Sequence, residues 1–171
     1  MTLRQLSDLD LEAQHKARPN YPREYLVRTK FTDQNTNGLT KCVMTFLQLH
    51  GCQCERVANM GMYIPPKEYK DVAGFTRFIG KGKWRKGSGT NGTSDVHSTV
   101  PIKINGITVG ISVKWEIKCK VTKDKVSDKQ IDYKQTVTDS GGFVYFVPDF
   151  ETFYKHWVVL HKQFVEELNK V

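Results

Sequence analysis

The chain has 171 residues and carries 26 lysines and arginines against 18 aspartates and glutamates, a formal net charge of +8. This length is typical of one globular domain with its own core, and the positive charge favours a polyanionic partner. Membrane binding is disfavoured, because no apolar run approaches the roughly 18 residues of a spanning helix and the N-terminus MTLRQLSDLD has no signal-peptide core.

The cysteines indicate a reduced, cytoplasmic protein. Cys42, Cys52, Cys54 and Cys119 are too few and too unevenly spaced for a secreted disulfide framework. Cys52 and Cys54 form a C-x-C pair, but no second cysteine pair or His-x-x-x-His accompanies it. This favours thiols in or near a core over a zinc site.

Two helical patterns occupy the N-terminal third. Three leucines between positions 3 and 9 predict a short helix that two prolines end, and we assign residues 1–34 to an N-terminal arm. Apolar residues spaced by three and four between Leu39 and Leu47 predict an amphipathic helix that stops near Gly51. The segment CQCERV then predicts a strand, and the stretch from position 58 to about 93 shows no regular pattern.

The end of that irregular stretch, IGKGKWRKGSGTNGTSD, combines cations with one indole and five glycines. Such a flexible loop can follow a phosphate backbone while the indole stacks on a base, although a basic run is also typical of a solvated surface. The residues expected to contact nucleic acid are Lys81, Lys83, Trp84, Arg85 and Lys86.

A long hairpin follows: VHSTVPIKI, the turn Asn105-Gly106, and ITVGISVKWEIKCK. A two-residue type I′ turn at Asn-Gly pairs Ile104 with Ile107 and thereby fixes the register of every later pair. Counting outward from the turn places Asp95 opposite Glu116, on the face away from the apolar side chains.

Two carboxylates opposite each other repel unless a cation lies between them. Carboxylate oxygens suit Mg²⁺ or Mn²⁺, which need only one or two such ligands besides water and substrate phosphate. Lys118 lies on the same face, where its ammonium could position an attacking water or neutralise charge on a phosphate. The alternative is an exposed charged strand face and an aspartate in a turn.

The C-terminal third predicts a helix, a strand and a helix. Ser127 can cap the first helix, with Gln130 completing a capping box. Gly141-Gly142 ends that helix, FVYFV predicts a buried strand, and apolar residues from Phe153 to Leu168 predict a final amphipathic helix.

The segments GTSDV, WEIKCK and SDKQIDYKQTVTDSGGFVYFV together resemble the PD-(D/E)XK nuclease superfamily, especially its virus-type replication-repair (VRR-NUC) branch. The resemblance implies an α/β (α+β) fold with a restriction-endonuclease-like core, in which helices flank a mixed central β-sheet in the order αβββαβ. That core would span residues 35–155 of a single nuclease-like domain, followed by a C-terminal helix at 156–171.

The resemblance also implies roles for individual residues. Asp95 and Glu116 would bind Mg²⁺ or Mn²⁺, with the Ile117 carbonyl as a further ligand. Lys118 would be the catalytic lysine and Gln130 the auxiliary active-site residue, although the capping box explains Gln130 without catalysis.

The opening helix departs from the family because NTNGLTKCVMTFLQLHG lacks the glutamate of the first motif. A polar contribution would have to come from residues such as Asn37 or Thr40. Tyr133 could face the same cleft or belong to the core, and His97 is interpreted as a strand residue rather than a ligand.

The leading interpretation is a Mg²⁺- or Mn²⁺-dependent nuclease acting on DNA rather than RNA, in phage or prokaryotic replication, repair or recombination. One alternative is a structure-specific endonuclease for Holliday junctions or flaps, which would need a homodimer for symmetric cleavage. Another is a nucleic-acid-binding module that keeps the fold without turnover.

Overall fold

The computed structural model describes residues 1–57, 61–87, 89–104 and 106–168. The helices in these residues are α1 (Leu3–Ala17), α2 (Thr36–Leu49), α3 (Asp128–Asp139) and α4 (Phe150–Leu168). The strands are β1 (Gln53–Arg56), β2 (Met62–Ile64), β3 (Lys67–Lys70), β4 (Thr76–Ile79), β5 (Lys83–Arg85), β6 (Val96–Ile104), β7 (Ile107–Ile117) and β8 (Phe143–Val147). Short 3₁₀ turns lie at Arg23–Tyr25 and Lys120–Thr122.

A four-stranded mixed sheet in the order β1-β6-β7-β8 forms the centre of the fold. Strand β6 runs antiparallel to β1 and β7, whereas β8 runs parallel to β7. The parallel pair is possible because α3 provides the crossover between its two strands. The predicted mixed α/β fold, with helices flanking the sheet in the order αβββαβ, is confirmed.

The hairpin of β6 and β7 has the predicted register. Ile104 pairs with Ile107, and Val96 pairs with Trp115 at the other end. Gly106 has a φ of 81°, a left-handed conformation that glycine adopts without a steric penalty. Asn105, the other half of the predicted turn, lies outside the described residues.

The apolar face of this hairpin packs against α2 and α4. The Phe46 ring of α2 makes edge contacts with Phe153 and Trp157 of α4, each at a centroid distance of 5.3 Å. Trp115 is fully buried, and its indole N–H donates a hydrogen bond of 2.9 Å to Ser98 Oγ. The polar residues of the candidate site lie on the opposite face of the hairpin.

The N-terminal segment, expected as an arm, lies on the core. Helix α1 packs against α2 and completely buries Leu6. The adjoining chain is held by Ser7 Oγ, which donates to the Thr29 carbonyl at 2.6 Å, and by the Thr29 hydroxyl, which donates to Asp10 at 2.5 Å. The helix ends before the prolines as predicted, and its leucine face packs on the core instead of belonging to a free arm.

The prediction of an irregular stretch from 58 to 93 was wrong. Its described residues form two antiparallel ribbons, β2 with β5 and β3 with β4, outside the central sheet. Their strands have only three or four residues, and every residue of β3, β4 and β5 is exposed. Without a buried face they carry no apolar alternation that a sequence pattern could detect.

The final helix begins at Phe150 rather than near position 156, because Asp149 caps it: Asp149 Oδ1 accepts a hydrogen bond of 2.8 Å from the Thr152 N–H. All four cysteines are free thiols. Within the described ranges, no helix combines the length and the apolar character needed to cross a membrane.

Candidate active site

The hairpin and the first turn of α3 bring the predicted polar residues together at one end of the sheet. Asp95 immediately precedes β6, Glu116 is the penultimate residue of β7, and Lys118 directly follows β7. Gln130 lies in the first turn of α3. These four side chains come from three separate segments of the chain.

Asp95 is attached to the end of β7 by its side chain. Its Oδ2 accepts a hydrogen bond of 2.9 Å from the Ile117 N–H, next to Glu116. The backbone carbonyl of Asp95 accepts a hydrogen bond of 2.8 Å from the Val57 N–H, and this bond extends the pairing of β1 with β6 by one residue. The carboxylate is therefore held against the strand that carries Glu116, as the register predicted.

Glu116 is the most unusual side chain of the site, since it is only 3% exposed. Its Oε1 lies 3.4 Å from Lys118 Nζ and accepts a hydrogen bond from the Gln130 side-chain amide. Its Oε2 has no hydrogen-bond partner among the described residues. Burial, and then the neighbouring charge of Asp95, raise the pKa of Glu116 to about 7.

Lys118 extends between two carboxylates. Its Nζ lies 3.4 Å from Glu116 Oε1 and 3.6 Å from Asp124 Oδ2, with the side chain 11% exposed. Sequence reasoning missed Asp124, which belongs to the basic turn KVTKDK. The left-handed conformation of Lys123, with a φ of 52°, turns the chain at this point, and the sequence gives no signal of it.

Gln130 makes the predicted capping contact and also contacts Glu116. Its Oε1 accepts a hydrogen bond of 2.9 Å from the Ser127 N–H at the start of α3. Its Nε2 donates to Glu116 Oε1 at the same time. The amide oxygen thus makes the capping contact while the amide nitrogen contacts the carboxylate, so the cap holds the N–H donor towards Glu116.

Gly92 fixes the position of the loop that enters Asp95. It has a φ of 82°, and a Cβ at this residue would lie 2.2 Å from the Lys129 carbonyl oxygen. The loop therefore contacts the backbone of the first turn of α3 directly. A side chain at this position would therefore push the loop away from α3.

The two polar candidates of the opening helix are engaged elsewhere. Asn37 Oδ1 accepts a hydrogen bond of 2.9 Å from Arg56. Thr40 is buried and donates to the Thr36 carbonyl within α2 at 2.8 Å. Neither hydrogen bond involves Asp95, Glu116, Lys118 or Gln130.

Tyr133 and His97 flank the site from α3 and β6. The Tyr133 hydroxyl lies 3.4 Å from His97 Nε2. Burial, and then the charge of Glu116, raise the pKa of Tyr133. Burial, and then the charge of Lys114, lower the pKa of His97, which favours its neutral form. Tyr133 therefore faces the polar side of the sheet rather than the apolar core.

The predicted nucleic-acid-binding residues lie in or beside the β2–β5 ribbon rather than in the central sheet. Lys83, Trp84 and Arg85 constitute β5, while Lys81 and Lys86 flank it. All five are exposed, with Trp84 at 67%. Three residues of the segment that was predicted to be a loop therefore form a strand of a ribbon.

The donor set is compatible with one hard divalent cation. The described residues contain no group of three or more histidines, cysteines, aspartates or glutamates that could hold a metal ion. Magnesium, however, needs only one or two carboxylates and completes its shell with water and substrate phosphate. The unpartnered Glu116 Oε2 and the adjoining Asp95 provide that minimum.

The arrangement places one ammonium group, that of Lys118, beside the Glu116 carboxyl group, with Asp95 held against the same strand. The contribution of Ile117 as a ligand stays a prediction, although its N–H already lies against Asp95. No family model, curated protein or solved structure matches this chain.

Proposed function

We propose that this protein is a Mg²⁺- or Mn²⁺-dependent nuclease that hydrolyses phosphodiester bonds of DNA. One observation carries the proposal: the buried Glu116 carboxyl group lies beside Asp95, with one oxygen contacted by Lys118 and Gln130 and the other unpartnered. Strongly perturbed carboxyl groups of this kind concentrate at functional sites.

A purely structural ion pair explains these contacts less well. A buried charge is tolerated when its partners satisfy every polar atom, because an unpartnered buried oxygen loses its hydration without compensation. Here Glu116 Oε2 lacks a partner among the described residues, and the charge of Asp95 opposes ionisation further. A cation that binds both carboxylates would relieve both costs.

The side chains can be assigned separate tasks. Asp95, Glu116 and the Ile117 carbonyl would hold the cation, which when bound would neutralise phosphate charge and favour ionisation of water. Lys118, between Glu116 and Asp124, can orient the attacking water. Gln130 keeps the Glu116 carboxyl group in one orientation.

The proposed reaction forms one bond and breaks one. The oxygen of water adds to phosphorus, and the bond from phosphorus to one ester oxygen breaks. The water loses a proton to solvent, and the leaving oxygen gains a proton to become a hydroxyl group. The products are a phosphate monoester end and a hydroxyl end.

The test is cleavage of single-stranded, duplex, flap and four-way-junction DNA with Mg²⁺, Mn²⁺ or EDTA. We expect metal-dependent cleavage that Glu116→Gln abolishes and that the matched control Glu24→Gln retains, since Glu24 is an exposed carboxylate of the first 3₁₀ turn. Cleavage that persists in EDTA or in Glu116→Gln would contradict the proposal. A preference for flaps or junctions would identify a structure-specific enzyme, and binding without cleavage would leave a binding module.

A further inference from the structure

The β2–β5 ribbon presents two aromatic rings on one face. Tyr63 pairs directly with Trp84, so both side chains project from the same side of the ribbon. A Cβ at Gly82 would lie 1.7 Å from the Tyr63 hydroxyl, and a Cβ at Gly61 would lie 2.4 Å from Trp84 Nε1. Each ring therefore rests against a glycine, an arrangement that stabilises a short ribbon.

Both rings nevertheless remain open to solvent. Tyr63 is 55% exposed and Trp84 is 67% exposed, whereas the other two tryptophans, Trp115 and Trp157, are 0% and 7% exposed. The glycines support the rings from beneath without covering them. Large flat surfaces that a protein holds in place but leaves uncovered are available to a ligand.

The same segment holds most of the excess positive charge. Residues 61–87 contain seven lysines and arginines but only two acidic residues, and thus account for five of the eight net positive charges of the chain. Arg77 is paired with Asp71 at 2.9 Å. None of the other six cations forms an ion pair within the described residues. Four of these six lie in or beside β5 and are called here the ribbon cations: Lys81, Lys83, Arg85 and Lys86.

Uncovered rings beside unpaired cations match a single strand of nucleic acid. Phosphates attract the cations, and unpaired bases can stack on aromatic faces, which every base permits regardless of sequence. Duplex DNA hides its base faces in its own stack, so it would use the cations but not the rings. An acidic protein surface would also leave the rings without a matching partner.

We propose that the β2–β5 ribbon binds single-stranded DNA, with Tyr63 and Trp84 stacking on unpaired bases and the ribbon cations contacting phosphates. The inference rests on the proposed function only in that the bound strand would be the nuclease substrate. Binding itself requires neither the carboxylates nor a metal ion, so it can be measured in EDTA.

The experiment compares three ligands in EDTA: oligothymidine, an abasic strand of the same length, and a duplex. We expect oligothymidine to bind most tightly and to quench tryptophan fluorescence, which reports Trp84 because the other two tryptophans are buried. Trp84→Ala and Tyr63→Ala should each weaken binding of oligothymidine by roughly 5- to 150-fold, the range for one stacked base. Neither substitution should change binding of the abasic strand.

Matched controls separate stacking from general damage. Tyr25→Ala removes an aromatic side chain that is 66% exposed outside the ribbon, and it should leave binding unchanged. Glu24→Gln, which removes an exposed carboxylate outside the site, should also bind normally. Because binding is measured in EDTA and without turnover, failure of the nuclease proposal stays distinct from failure of this one. Equal affinity for the oligothymidine and the abasic strand, or wild-type affinity in Trp84→Ala, would overturn the stacking proposal. Failure of oligothymidine to bind would assign the ribbon face to another class of partner.

Discussion

Replacing Glu116 by glutamine should stabilise the metal-free protein at alkaline pH. Glutamine has the shape of the protonated carboxyl group but never ionises. Burial and the charge of Asp95 raise the pKa of Glu116 in the folded protein to about 7, above its ordinary value of 4.5. A group with a raised pKa stabilises the fold while it is protonated, and this stability is lost as the pH rises through the folded pKa.

The size of the effect follows from the shift. One pKa unit corresponds to about 1.4 kcal/mol, so ionisation of Glu116 should cost the folded state about 3 kcal/mol in total. Most of that loss, about 2 to 3 kcal/mol, should occur between about pH 5 and pH 8. Glu116→Gln cannot ionise at this position, so over the same interval its free energy of unfolding should rise relative to that of wild type by the same amount.

The assay is urea unfolding in EDTA at a series of pH values. The difference in unfolding free energy between Glu116→Gln and wild type should be small near pH 5 and grow towards pH 8. The matched control Glu24→Gln removes one exposed carboxylate and should show little trend. A difference for Glu116→Gln that stayed constant within about 0.5 kcal/mol over this range would refute the reasoning that burial and Asp95 oppose ionisation.

Three further predictions follow from the same geometry. Lys118→Ala should lower turnover by roughly 10²-fold or more, because it removes the ammonium group. Mn²⁺ should still raise the melting temperature of this variant, because no metal ligand is removed. Loss of both turnover and the Mn²⁺ shift would make Lys118 part of the metal site. Gly92→Ala should lower the free energy of urea unfolding by at least about 1 kcal/mol more than Gly74→Ala does. Both glycines have a positive φ, but of the two only Gly92 contacts backbone of α3. Equal losses in the two variants would contradict that contact. Replacing all four ribbon cations should reduce the slope of log affinity against log salt for single-stranded DNA by up to about 3, since each phosphate contact contributes about 0.7. The matched control replaces four exposed cations of α1, its C-cap and α4, namely Arg4, Lys16, Arg18 and Lys162. An equal change of slope in that control would place the binding surface outside the ribbon.

The hairpin shows how much of the site the sequence could predict. The Asn-Gly pair fixed one register, and the observed pairing of Val96 with Trp115 follows from it by counting. Strand alternation then placed Glu116 on the polar face. Register and alternation are local rules, so they could be read from one segment of the chain.

Contacts between distant segments could not be predicted in the same way. The sequence offered capping and site contact as competing roles for Gln130, whereas one amide makes both bonds. Asp124 reaches Lys118 through the left-handed turn at Lys123, a conformation that lysine rarely adopts. The ribbons escaped prediction because exposed strands lack the apolar alternation that marks a half-buried one.

Stabilisation by Mn²⁺, measured as the shift in melting temperature of wild type and of Asp95→Asn, tests the paired-carboxylate site most directly. Asparagine can still accept the hydrogen bond from the Ile117 N–H, so the fold should persist, with unchanged or higher stability in EDTA. A ligand that binds only the native state raises the melting temperature as its concentration increases. Wild type should show that rise and Asp95→Asn should not. A full Mn²⁺ shift in Asp95→Asn would show that Asp95 and Glu116 do not share a metal ion, and the nuclease proposal would lose its basis.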